Sequence, residues 1–313
     1  MAQKGLVELF DKTLAEGKKI APAERLFLFN GGLYPAMVCR PETLKILDTF
    51  EARSDDVVLV GYPKTGTNWV GQILTELETA SGKYDEEERK RRQQKEKDLS
   101  VFPYLEFGDS DKFERMKKLP SRRVIKTHLA PGKMPKSIFQ KKAKILVLFR
   151  NPKDTAVSYF HFTKGINLRP SEETWDEFFP DYITGKVPYG LYLDHIIEWN
   201  NYLDDKNVMF ITYEEVKGNG VLALKRIAEF FNFSVSEQEI ESIVEKTSFK
   251  TMKDNAPVTH GEMGKSLFRK GIVGDWKNTF SESQNEEMDR KFEEKVARTK
   301  LGMMLKYEEY CKD

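Results

Sequence analysis

Val57-Val58-Leu59-Val60, running into Gly61-Tyr62-Pro63-Lys64-Thr65-Gly66-Thr67-Asn68-Trp69, is the stretch from which the fold is read. Four apolar residues, three of them β-branched, lie between Asp55-Asp56 and a Gly-Tyr-Pro break, the pattern of a strand buried on both faces. From Asn68 onward Trp69, Val70, Ile73, Leu74 and Leu77 recur at helical spacing, so the segment reads as strand, tight loop, helix. Such a loop suits an anion: the first N–H groups of the helix have no internal partner, and the dipole favours negative charge there. Lys64 adds a full positive charge, and Thr65 and Thr67 add hydroxyl donors. Taken alone, the same letters also describe a helix capped by Thr65 or Thr67 after a Gly-Pro turn.

A nucleotide P-loop is the first comparison, and the residue order argues against it. Gly61 and Gly66 keep the G-x-x-x-x-G spacing, but Thr67-Asn68 stand where Lys and Ser/Thr would follow, and the lysine precedes Gly66. A kinase-type site would also want a strand ending in an Asp that serves Mg²⁺. The best candidate, Ile145-Leu146-Val147-Leu148-Phe149, ends instead in Arg150, a second anion-binding group.

Outward from this stretch, 313 residues with 39% hydrophobic content and no Pro/Gly/Ser-rich linker read as one α/β domain over 1–313. Lys+Arg 51 against Asp+Glu 50 leaves a net charge of +1, so no global field recruits nucleic acid or an anionic membrane, and positive charge at a site must be local. Cys39 and Cys311 form no C-x-x-C pair, which points to neither a disulfide framework nor a structural zinc site. The amphipathic N-terminus lacks the apolar core of a signal peptide, and no run is long enough to span a bilayer, so a cytosolic protein is expected. Residues 85–98 carry six acidic and six basic side chains with Glu86/Lys90, Glu87/Arg91 and Glu88/Arg92 at i,i+4, a charged surface insertion that is either a solvated helix or mobile.

Tyr104, Leu105 and Phe107 read as an exposed aromatic cluster. Arg123-Val124-Ile125-Lys126-Thr127-His128 is a short strand whose C-terminal end, the ligand side of an open α/β sheet, carries Lys126 and His128 beside Lys64. After Arg150, Asn151 suits an N-cap and Pro152 the first helical position. Thr155, Ser158 and Phe162 then share one helix face, setting a hydroxyl beside the anion site and an aromatic beyond it. Asn207 to Glu214 reads as another buried strand ending in polar residues, and amphipathic helices over 221–233 and 237–246 complete an alternating β/α pattern. Arg269-Lys270-Gly271 pairs two cations with a glycine that lets backbone approach an anion.

Together, Tyr62 to Trp69, Arg150 to Ser158, and Arg269-Lys270-Gly271 with Gly274-Asp275-Trp276-Lys277 resemble the cytosolic sulfotransferase family over nearly the whole chain, and within it the 6B branch. The resemblance implies a central parallel sheet flanked by helices, a P-loop-like phosphosulfate-binding loop, and 3′-phosphoadenylyl sulfate (PAPS) as donor with 3′-phosphoadenosine 5′-phosphate as product. By motif position, Lys64, Thr65, Gly66, Thr67, Asn68 and Trp69 would bind the 5′-phosphosulfate, with Trp69 near the adenine. Arg150, Ser158, Arg269, Lys270 and Gly271 would hold the 3′-phosphate, while Tyr213, Thr247, Phe249, Met252 and Leu267 would border the nucleoside. His128 would be the base, with Lys64 and Lys126 neutralising developing charge and Ser158 restraining Lys64. The implied transfer of the sulfuryl group to an acceptor hydroxyl or amine needs in-line positioning and charge stabilisation and, on this reading, no metal.

Tyr104, Phe107 and Phe162 are the candidates for an apolar acceptor pocket suited to a phenol, and the 6B branch suggests iodothyronines such as thyroxine. Two departures from the family pattern stand out. Leu267 occupies a position that is aromatic in many relatives, and Glu282 replaces the apolar residue of the family's dimer motif, which predicts a monomer or weak homodimer. The competing readings are a nucleotide or nucleoside kinase, and a nucleotide-binding protein without catalysis.

Overall fold

A computed structural model describes residues 3–99, 102–169 and 174–312. Strands β1 (Leu26–Phe29) and β2 (Gly32–Pro35) form an antiparallel hairpin, while β3 (Val57–Gly61), β4 (Val124–Thr127), β5 (Lys144–Phe149) and β6 (Val208–Thr212) form a parallel sheet ordered β4-β3-β5-β6. In register, Val57 lies opposite Val124 on one side and Lys144 on the other. The opening stretch is therefore a central strand, which is why all five of its residues are buried.

Strand alternation divides the core into two layers. Val58, Val60, Ile145, Val147 and Phe210 face one cluster, completed by Phe178, Phe179 and Tyr182 of α5 (Trp175–Ile183) and by Ile196 and Trp199 of α6 (Tyr192–Asn200). Val57, Leu59, Leu146, Leu148 and Ile211 face the other. There they meet Val70, Ile73, Leu74 and Leu77 of α2 (Thr67–Ser81), Leu224 and Ile227 of α8 (Gly220–Phe231), and Ile240 and Ile243 of α9 (Glu237–Lys246). Each fully buried aliphatic side chain contributes about 1.5–3 kcal/mol, so the sheet is a rigid platform for the loops at its C-terminal edge.

Three of those loops lead straight into helices. α2 begins after β3; α4 (Pro152–Gly165) begins after β5, with the Asn151 side chain accepting from the Asp154 N–H at 2.8 Å and Pro152 in the first turn; α7 (Tyr213–Gly218) begins after β6. At the N-terminus, α1 (Gln3–Gly17) packs on α10 (Phe249–His260), a helix that Ser248 caps.

The charged segment takes the helical one of its two readings, as α3 (Glu86–Leu99), tied back where Arg92 stacks over Tyr84 at 4.1 Å and lies 4.0 Å from Glu78. Lys90 pairs with Glu86 as the spacing predicts, but Arg91 takes Glu88 rather than Glu87. Tyr104 and Leu105 are buried, not exposed, because the Leu105 N–H bonds the Lys126 carbonyl at 2.9 Å and draws the segment against β4. Thr155 turns its hydroxyl back onto the Asn151 carbonyl at 2.9 Å, so the helix face toward the cavity carries Ser158 and Phe162, both half-buried, without it.

Candidate active site

Two adjoining cavities open at the C-terminal edge of the sheet. The first, about 970 Å³ counting its mouth, is rimmed by cations: Lys64, Arg150, Arg269 and Lys270. The second, about 650 Å³ counting its mouth, is almost wholly apolar. His128, Pro63, Asn68, Phe162 and Leu267 line both, so they form the seam between them.

The anion loop is built from its backbone. Lys64 adopts φ +73° and Gly66 φ +111°, a sharp reversal that begins α2 without any side-chain cap. Thr65 is buried and donates its hydroxyl to the Tyr62 carbonyl at 2.8 Å, while the Thr67 hydroxyl lies 3.2 Å from that of Tyr104. The reading in which Thr65 or Thr67 caps the helix therefore falls. The first bond at that end runs from the Val70 N–H to the Gly66 carbonyl at 3.0 Å, which leaves the N–H groups of Thr67, Asn68 and Trp69, residues that line the cavity, without helical partners.

Arg150 shares this cavity with the loop. Its guanidinium donates to the carbonyls of Lys64 at 3.5 Å and Ile272 at 3.0 Å, and its Nε is buried with no partner. An unpartnered buried donor is costly to keep, and an anion in the cavity would satisfy it. Arg269 and Lys270 converge on one carboxylate, Asp275, at 2.5 and 2.6 Å. Burial would raise the Asp275 pKa, but those two hydrogen bonds and the Arg269 charge hold it at about 2. Asp154 fixes this loop to α4, accepting from the Gly274 N–H at 2.8 Å and the Trp276 N–H at 3.0 Å. A Cβ on Gly271, at φ +66°, would fall 2.1 Å from the Phe249 ring, so only glycine lets the backbone approach that closely.

An aromatic wall joins the two groups of cations. Trp69 meets Tyr213 edge-on at 5.1 Å and donates its indole N–H to the Thr247 carbonyl at 2.7 Å; Phe249, Met252 and Leu267 line the same cavity. Thr247 thus acts by holding Trp69, since its hydroxyl turns back to Ile243. Ser158 lines the cavity, but the partners of Lys64 are others: its ammonium lies 4.3 Å above the Phe162 ring and 3.5 Å from the Ser266 carbonyl. Burial, then the charges of Arg150 and Arg269, lower the Lys64 pKa to about 7.

His128 is held from two sides. Its Nδ1 lies 2.6 Å from the Gly61 carbonyl, which can only accept, so the proton sits on Nδ1 and Nε2 carries the lone pair. Its backbone N–H donates at 2.8 Å to Glu106, whose other oxygen takes the Thr127 hydroxyl at 2.8 Å. Burial, then the charges of Lys126 and Lys64 working against the Gly61 bond, push the imidazole down to about 4. At neutral pH it is an unprotonated acceptor. Lys126 is set further back than the sequence suggests: it lines neither cavity and its ammonium lies 5.2 Å from the Tyr104 ring, with burial lowering its pKa to about 8.

Tyr104, Phe107 and Phe162 all line the apolar cavity. Residues that sequence reasoning missed include Lys217 and Asp275 on the cationic side, and Phe10, Met37, Tyr189 and Met263 on the apolar side. Asp275 had a signal, its place beside Arg269-Lys270; the apolar ones had none, being scattered from one end of the chain to the other. Among the described residues no group of His, Cys, Asp and Glu clusters as metal ligands, and no helix is long and apolar enough to cross a membrane.

Sheet, phosphate-type loop and histidine define a class, and the chain belongs to the sulfotransferase family: the sulfotransferase domain model matches residues 54–300. Among individual relatives, it is 48% identical to sulfotransferase 6B1 of Homo sapiens over 99% of both chains, and 41% identical to sulfotransferase 6B1 of Danio rerio over 94% of this chain and 96% of the other. A solved structure, mouse sulfotransferase SULT7A1 complexed with PAP, superposes with a TM-score of 0.77 at 37% identity, covering 90% of this chain and 98% of that one.

Proposed function

We propose that this chain transfers the sulfuryl group of PAPS to the hydroxyl of a small, uncharged phenol, acting in the cytosol as one domain over 1–313 and as a monomer or weak homodimer. The observation that carries the reading is the position of His128 at the seam, its Nε2 carrying the lone pair, with a cavity lined by Lys64, Arg150, Lys217, Arg269 and Lys270 on one side and an apolar cavity on the other. The mouse relative bound to PAP, and the unpartnered Nε of Arg150, support an adenosine bisphosphate in the cationic cavity.

In this mechanism the loop amides and Lys64 hold the 5′ end of the donor, while Arg150, Arg269, Lys270 and Gly271 hold the 3′-phosphate. Trp69, Tyr213, Phe249 and Met252 flank the base. The donor supplies a sulfuryl group on a phosphate leaving group. His128 Nε2 accepts the phenolic proton as the new O–S bond forms and the bond from sulfur to the bridging phosphate oxygen breaks. Lys64, and Lys126 from further back, offset charge growing on the departing phosphate.

A neutral acceptor fits best because, among the described residues, no Asp, Glu, Lys or Arg lines the apolar cavity and His128 is uncharged at neutral pH. The hydroxyls of Tyr104, Tyr159 and Tyr189 are already engaged, with Thr67 and Asn68, Pro188, and Cys39 respectively. An iodothyronine such as thyroxine can enter phenol first, provided its charged amino-acid end reaches back to the mouth. The test is transfer of labelled sulfate from PAPS across a panel of phenols, steroids, amines and iodothyronines. Product with phenols supports the reading; PAP binding without transfer to any acceptor would reduce the protein to a nucleotide binder.

A further inference from the structure

The N-terminal helix α1 lies outside the region matched by the family model, yet it contributes Phe10 to the wall of the apolar cavity. Phe10 is 8% exposed and packs with Phe102 and Met263; its ring meets Phe102 edge-on at 5.7 Å and stacks on His260 at 5.8 Å. It lines the same cavity as His128. One helical turn on, Leu14 is buried against Met37, Ile166 and Leu168, three further lining residues, and so backs the wall from outside. The helix is fastened by its own carboxylate: Asp11 Oδ1 accepts the Glu262 N–H at 3.0 Å, over a turn where Gly261 takes φ +57° and a Cβ would fall 2.2 Å from that oxygen. Met263 and Leu267, just beyond this turn, also line the cavity.

We infer that Phe10 is a specificity-determining residue that sets how long an acceptor can be, and that Asp11 is the positioning residue that seats it. This rests on the proposed transferase reading and deepens it. Phe10 closes the cavity with a rigid apolar ring, so an acceptor whose length stops short of it is tolerated and a longer one must displace α1. A substitution that shortens this side chain opens room for longer acceptors, and one that enlarges it excludes them.

The experiment compares kcat/KM for 4-octylphenol and 4-nitrophenol, with PAP affinity by calorimetry as a check of folding. Phe10→Ala is expected to raise the long-to-short ratio roughly tenfold and Phe10→Trp to lower it, the size expected for a few methylenes in an apolar pocket. Asp11→Ala should raise the ratio too, although its side chain does not line the cavity. Ratios within twofold of wild type in both Phe10 variants, with PAP binding retained, overturn the inference. Should the wild-type chain transfer sulfate to neither phenol, the same comparison is made on phenol dissociation constants in the presence of PAP. That separates a failed reaction from a failed wall, and the inference falls if Phe10→Ala leaves the ratio of those constants unchanged or if neither phenol binds.

Discussion

The cationic and apolar cavities share a seam but are specified differently. The cationic one is made by short contiguous runs: the loop after β3, Arg150 at the end of β5, and Arg269-Lys270-Gly271 with Asp275 a few residues on. The apolar one is made by single side chains drawn from α1, the segment after β2, the Tyr104 to Phe107 turn, α4 and the turn after α10. Binding an anion requires particular donors at fixed backbone geometry, which few residue types satisfy. An apolar wall requires only shape, which many residues supply once the chain has packed.

That contrast is broken most severely at its seam. His128→Ala should lower kcat about 10²- to 10⁴-fold while PAP affinity stays near wild type, because the imidazole serves the proton and not the nucleotide. Near-normal turnover would remove His128 from the chemistry. With the imidazole pushed down to about 4, the unprotonated form persists to low pH, so the acid limb of kcat/KM should lie well below the ordinary histidine range.

Next in size is Arg150→Lys. The guanidinium ties the loop at Lys64 to the segment at Ile272, and an ammonium cannot make both contacts while still presenting a donor to a phosphate. PAP affinity should fall about 10- to 100-fold, with phenol affinity little changed. An equal loss on both sides would mean that the two cavities are not separable.

The same division explains what could be read in advance. The buried strands followed from apolar runs within Val57 to Val60, Ile145 to Phe149 and Asn207 to Glu214, because a strand covered on both faces has no polar alternation to obscure it, and their parallel arrangement followed from the family resemblance. Lys64, Arg150, Arg269 and Lys270 followed from motifs whose spacing is local, Tyr213, Phe249 and Met252 from the family resemblance, and Lys217 from neither. Lys126 and Thr247 were harder to place, since the first retreats behind Tyr104 and the second contributes its carbonyl, a group that every residue possesses. Ser158 reaches the cavity, yet the partner of Lys64 is the Ser266 carbonyl, again backbone. Phe10 and Met37 carried no signal, because an apolar residue on an amphipathic helix looks the same whether it faces core or ligand.

Lys64 sharpens the comparison through pH. Its free-state pKa of about 7 leaves it charged below neutrality and increasingly neutral above, whereas donor phosphates favour the charged form. Donor binding should therefore take up a proton above pH 7 and weaken as pH rises, by about tenfold between pH 6 and pH 8. Lys64→Arg keeps its charge throughout and should flatten that contribution. The donor's own phosphates titrate alike with both proteins, so the difference between the two curves belongs to Lys64. Parallel curves would contradict the lowered pKa.

Phe162 carries the smallest expected effect and the most direct test of a shared wall. Its ring lines both cavities and lies 4.3 Å beneath the Lys64 ammonium, so one face serves a cation while its edge bounds the apolar space. Phe162→Leu keeps an apolar side chain but removes the π face, which is worth about 0.5–1 kcal/mol. In the free protein that face competes with the donor for the ammonium. Its loss should strengthen PAP binding slightly while phenol affinity falls through poorer packing, each by roughly two- to fivefold. Opposite signs in the two titrations are what a residue standing between two chemistries must produce; movement of both in the same direction would make Phe162 ordinary core.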